Sequence, residues 1–134
     1  MRTIIETFAD GIMRDLTIKQ SAIRFLLGME YTFAVDADSN CDVYVNRQYE
    51  DTLFDYADML DFSAEIIAKV EAQRIIRELK ECGESQLTHC GKLYEFEFED
   101  ASGTCECYVG KQLFFSTRDP FEFTESITEI LRGE

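Results

Sequence analysis

Tyr94-Glu95-Phe96-Glu97-Phe98-Glu99 is an unbroken alternation of aromatic and acidic residues. Successive side chains of a β-strand point to opposite faces, so Tyr94, Phe96 and Phe98 share one face and Glu95, Glu97 and Glu99 the other. Such a strand has an apolar side to bury and a wholly acidic side to leave in water. Downstream, Asp100-Ala101-Ser102-Gly103 is turn chemistry. Lys92–Glu99 and Thr104–Val109 are therefore expected as a hairpin. If Glu99 faces Thr104, then Cys105 faces Phe98, Glu106 faces Glu97 and Cys107 faces Phe96. Gly110-Lys111 suits a two-residue type II′ turn into a third strand, Gln112–Thr117. Asp119, Pro120 and Glu122 then open a helix with Phe123, Ile127, Ile130 and Leu131 as its buried stripe and Gly133 at its end.

Upstream, Ile5, Phe8, Ile12 and Leu16 recur at helical spacing, although Asp10-Gly11 is a turn-forming pair. Thr17 and Gln20 have the capping-box pattern, which predicts a second helix carrying Ile18, Ala22, Phe25 and Met29. Tyr31, Phe33 and Val35 alternate, as do Cys41, Val43 and Val45, around a turn-rich segment at 36–40, giving another hairpin. Residues 49–82 are expected to be helical, as one helix or as two broken near 61–63. No internal repeat is evident. The expectation is an α+β fold: a single compact domain over residues 1–134, with antiparallel hairpins or a meander packed against about four to five helices.

Composition narrows the function classes. Hydrophobic residues make up 46% of the 134-residue chain, enough for a core, and no segment approaches the roughly 18 consecutive apolar residues of a membrane span. After Arg2, acids at 6, 10 and 15 interrupt any secretory h-region. The odd number of cysteines, 5, fits reduced thiols in a cytoplasm better than a disulfide framework. The net charge of −14 opposes direct contact with nucleic acid or anionic membrane, because phosphate binding needs clustered bases.

Candidate chemistry is sparse. His89-Cys90 and Cys105-x-Cys107 carry metal-ligating types, but Cys-x-Cys is not a zinc knuckle, and the hairpin register points both thiols into the aromatic face. His89 and Cys90, being neighbours on a strand, cannot pair as base and nucleophile. Asp36-x-Asp38-x-Asn40-x-Asp42 begins like a calcium loop, yet Cys41 and Arg47 stand where Gly and Glu are required. No phosphate-binding, dinucleotide or nucleophile-elbow motif is present. The expectation is no catalytic residue, no metal and no cofactor.

The acids, by contrast, are organised. Residues 50–65 hold six acids and no base, and Asp51, Asp55, Asp58 and Glu65 fall on one face if the segment is helical. Residues 95–106 hold five acids and no base, including Glu95, Glu97, Glu99 and Glu106. A merely soluble surface would intersperse lysines, and like charges directly opposite on a sheet are destabilising. These eight acids are therefore the expected partner-binding residues. In size and charge the chain resembles the small acidic inhibitors encoded by phages, such as anti-restriction and anti-CRISPR proteins. That resemblance implies a viral, cytoplasmic DNA mimic that inhibits through protein–protein interaction, its partner a nuclease or other basic, nucleic-acid-binding protein. The alternatives are an immunity protein or acidic adaptor binding a toxin or cellular protein, and, behind both, an enzyme using carboxylates and a metal.

Overall fold

The computed structural model describes residues 3–99 and 101–132; Arg2, Asp100 and Gly133 lie outside the described residues. In chain order the elements are α1 (Ile4–Lys19), β1 (Ser21–Leu26), β2 (Met29–Val35), β3 (Cys41–Val45), β4 (Gln48–Leu53), α2 (Tyr56–Cys82), β5 (Glu84–His89), β6 (Lys92–Glu99), β7 (Thr104–Val109), β8 (Gln112–Thr117) and α3 (Pro120–Arg132). The α+β class holds, but there are three helices among the described residues and not four to five.

Two stretches expected to be helical are strands. Thr17 does not cap a second helix. Its hydroxyl donates to the Met13 carbonyl, 2.9 Å away, inside α1. Gln20 then takes a left-handed conformation, φ 63°, and ends α1. Ile18, Ala22, Phe25 and Met29 consequently form no stripe: Ala22 is buried while Ile18 and Phe25 are 70% and 71% exposed. Leu27 and Gly28 both have positive φ, the geometry of a type I′ turn, and join β1 to β2. Asn46 and Arg47 do the same at φ 50° and 69°, turning the chain back along β3 as β4 where helix was expected. From Tyr56 to Cys82 the helix runs unbroken.

The chain divides into two compact units, 1–63 and 64–134. In the first, β1-β2-β3-β4 form an antiparallel meander. α1 buries Ile5, Ala9, Ile12 and Leu16, and it opens on a reciprocal capping box in which Thr3 and Glu6 each accept the other's backbone N–H at 3.1 Å. Phe62 meets Tyr31 and Phe33 edge-on at 6.5 and 5.9 Å between ring centroids. Arg24 of β1 is held by Asp15 of α1 at 3.1 Å.

In the second unit β5-β6-β7-β8 form another antiparallel meander. The β6–β7 register is the expected one, with Phe98 opposite Cys105, Glu97 opposite Glu106 and Phe96 opposite Cys107. Phe96 is fully buried and packs on Phe115 and Phe123, at 6.3 and 5.7 Å. All four residues expected along the buried stripe of α3 are buried.

The two units repeat one plan, contrary to expectation. Cys41-Asp-Val-Tyr-Val-Asn-Arg-Gln48 on β3 matches Cys105-Glu-Cys-Tyr-Val-Gly-Lys-Gln112 on β7. Leu16, Ile12 and Ala9 of α1 correspond to Leu79, Ile75 and Ala72 of α2, 63 positions later, and all are buried. Tyr31 and Phe33 correspond to Tyr94 and Phe96. Each third strand carries a bulge at the same place, between Val43 and Tyr44 and between Cys107 and Tyr108. Five residues join the paired Val35 and Cys41, whereas six join Phe98 and Cys105, so the spacing changes by one after that turn. That shift divides a short match, and the outer-face residues around it have diverged.

Candidate functional site

The β5–β8 sheet has one face covered and one open. Leu87, Tyr94, Phe96 and Cys107 are on the covered face and are buried. Glu84, Glu95, Glu97 and Glu99 are on the other and are exposed, with Glu106 half-buried. Glu84 of β5 lies directly opposite Glu97 of β6, and Glu97 lies directly opposite Glu106 of β7. Directly opposite Cβ atoms are about 4.5–5.5 Å apart, so three carboxylates make a row across the strands. Glu95, Glu97 and Glu99 make a second row along β6 at steps of about 6.6–6.8 Å. The rows cross at Glu97.

The charge is felt by its neighbours. The Tyr108 phenol is raised above its ordinary value of 10.0, first by loss of solvent, then by the Glu106 carboxylate, with which it also shares a hydrogen bond, and by Glu97 and Glu99. At the corresponding places in the first unit stand Ser21, Ala34 and Asp42, which also lie opposite one another. That row has one acid instead of three. The outer face there is partly apolar, with Ile23 and Phe25 exposed.

The other expected acidic set does not form a face. Asp51 is on strand β4, opposite Val43, and its Oδ1 accepts from the Thr52 N–H at 2.8 Å. Asp55 and Asp58 start α2: Asp55 Oδ1 accepts from the Asp58 N–H at 2.8 Å, and Asp58 Oδ2 from the Phe54 N–H at 3.0 Å. Asp55 thus satisfies an N-terminal amide that the helix leaves open, and Asp58 ties down the chain just before it. Glu65 is exposed further along α2. The structure thus brings Glu95, Glu97, Glu99 and Glu106 together and leaves Asp51, Asp55, Asp58 and Glu65 as separate features. Glu84 escaped the sequence reading because β5 was not expected. Its signal was present in the alternation of Ser85, Leu87 and His89 before the Cys90-Gly91 turn.

The remaining motifs have local explanations. Asp36 Oδ1 accepts from the backbone of Asp38 at 2.8 Å and Asn40 at 3.0 Å, so the calcium-like spacing serves a turn. Burial pushes the Cys107 thiol up to about 12 and the Cys105 thiol up to about 11, the opposite of an activated nucleophile. His89 is buried at the end of β5, and its Nε2 has no hydrogen-bond partner among the described residues. Among those residues no group of three or more His, Cys, Asp or Glu converges for a metal, and no helix is long and apolar enough to cross a membrane. Compared with known proteins, the chain matches no family model, no curated protein and no solved structure.

Proposed function

We propose that this is a small acidic binding protein, not an enzyme. It docks the outer face of β5–β8 into the basic groove of a nuclease or another nucleic-acid-handling protein and competes with its DNA or RNA. The observation that carries the reading is the crossed array of Glu84, Glu97 and Glu106 with Glu95 and Glu99. Acidity needed only for solubility has no reason to gather at the sheet positions where like charges repel, while the matching positions of the other unit hold Ser21, Ala34 and a single acid, Asp42. Carboxylates at regular steps offer a basic groove what a phosphate backbone offers it, and long-range attraction would speed encounter. Five cysteines, all free thiols, suit a reducing compartment such as the cytoplasm.

The test is capture of partners at low salt from an extract rich in nucleases, followed by competition with the partner's own nucleic acid. Replacing Glu95, Glu97 and Glu99 together by Gln should slow association by roughly tenfold or more and flatten its salt dependence. Asp51→Asn should leave association unchanged. Unaltered on-rates in the triple variant, or a partner whose binding is indifferent to salt, would remove the mimic reading. A captured toxin with no nucleic-acid site would instead favour an immunity protein.

A further inference from the structure

Each unit contains a cavity at the same place in its plan. In the second unit it measures about 390 Å³ and opens between the end of α2, one end of strands β6–β8 and the start of α3. In the first it measures about 270 Å³. Leu16, Cys41 and Met59 line the smaller one, and their counterparts Leu79, Cys105 and Phe123 line the larger. The walls are therefore alike, but the rims are not. Thr17 and Phe54 of the first cavity are replaced by Lys80 and Arg118 in the second.

That replacement is notable in a chain with 13 Lys and Arg against 27 Asp and Glu. Among the described residues neither Lys80 nor Arg118 makes an ion pair. Asp119, the one acid of the lining, is occupied as a cap, its Oδ1 accepting from the Phe121 N–H at 2.9 Å. The amino end of α3 adds its own positive polarity at the same rim. Below lie Ile76, Leu79, Phe98 and Phe123, an apolar floor of the size small-molecule sites occupy, about 300–1,000 Å³. Phe98 stands where the first unit has Val35, and it is 46% exposed despite lying on the covered side of its strand.

We propose that this second-unit cavity binds a small apolar carboxylate of the medium-chain fatty acid class, its chain against Phe98 and Phe123 and its carboxylate between Lys80 and Arg118. Two unpaired cations above an apolar floor match a ligand with one negative end and an uncharged body. The first-unit cavity, which shares part of the apolar wall but has Asp55 and no cation in its lining, is the built-in control.

The test is an NMR titration of the full chain with octanoate and, separately, with 1-octanol, which has the same chain length and no charge. Octanoate should produce saturable shifts at the second-unit cavity and bind roughly tenfold or more tightly than octanol, a difference of about 1.4 kcal/mol. Lys80→Gln with Arg118→Gln should abolish that preference while leaving octanol binding and the melting temperature unchanged. Independently of any variant, added salt should weaken octanoate and not octanol. Equal affinity of the two probes in the unaltered protein would overturn the proposal. So would absence of saturable binding, a preference that survives the double substitution, or shifts centred on the first-unit cavity.

Discussion

Glu97→Gln should make the protein more stable. Glu97 has a carboxylate directly opposite on each side, Glu84 on β5 and Glu106 on β7. A like-charge pair in that position costs about 0.2–1 kcal/mol, so two such pairs give a relief of about 1 kcal/mol when the charge is removed and the shape kept. In a small protein a urea m-value of about 1–3 kcal/mol/M converts this into a midpoint shift of roughly 0.3–1 M. The gain should be largest at low ionic strength and nearly vanish near 1 M salt, where screening acts over about 3 Å, less than the spacing of the row. Urea titrations of both proteins at low and high salt, with the m-value compared, make the measurement. Removing Glu84 as well should add less than its separate effect, because the two share one repulsion. Either of two results would refute the reasoning: a lower midpoint for Glu97→Gln, which requires Glu97 to have a favourable partner, or a gain indifferent to salt, which requires a source other than charge repulsion.

Phe96→Ala removes a fully buried ring that touches Phe115 and Phe123, and should cost about 3–5 kcal/mol in the same titration. His89→Leu, which installs the residue found at the matching place, Leu26, should raise stability by about 1–2 kcal/mol because it removes a buried nitrogen without a partner; a loss would mean that Nε2 is satisfied in solution. In a thiol-labelling time course Cys82 and Cys90, which are exposed, should react first, half-buried Cys105 more slowly at the cavity it lines, and the buried Cys41 and Cys107 last. Burial raises the thiols of Cys41, Cys105 and Cys107 from 9.0 to about 11, about 11 and about 12, so above pH 9 the unfolded chain binds fewer protons than the folded one. Stability should therefore fall as pH rises from about 9 towards about 12, and a urea midpoint that stays flat between about pH 8 and about pH 10.5 would contradict it.

What could be read from the sequence depended on how many local signals agreed. From Lys92 to Leu131 alternation, turn residues and capping point to the same elements, and the strands, their register and α3 follow. The first unit gives weaker signals. Phe25 is a large apolar residue left exposed on β1, and it imitated a helical stripe with Ile18 and Ala22. β4 exposes four of its six residues in succession, Gln48 to Asp51, so it shows no alternation, and only the left-handed Asn46-Arg47 pair marks its start. The acidic site divided along the same line. Glu97 and Glu106 were legible because their hairpin was, Glu84 was lost with β5, and Asp51 was placed on a helix that begins only at Tyr56.

The near-identity of β3 and β7 also bears on how the chain reaches its native state. Every strand pairs with a neighbour in sequence, so hairpins can close early and at low cost in chain entropy. Yet a newly formed β2 meets two similar candidates, Cys41–Val45 and the matching run that starts at Cys105. Mispairing between repeats is a known hazard of duplicated folds. Proximity along the chain favours the right strand, but charge does not: β3 offers Asp42 where β7 offers Glu106, and Ala34 of β2 would meet Glu106 without the repulsion that Glu97 meets. The acids of β6 thus weigh against its correct pairing during folding as well as against stability after it. A chain in which β6 carried Thr and Ala at positions 95 and 97, as β2 does at 32 and 34, should refold with a smaller slow fraction as well as a higher final stability.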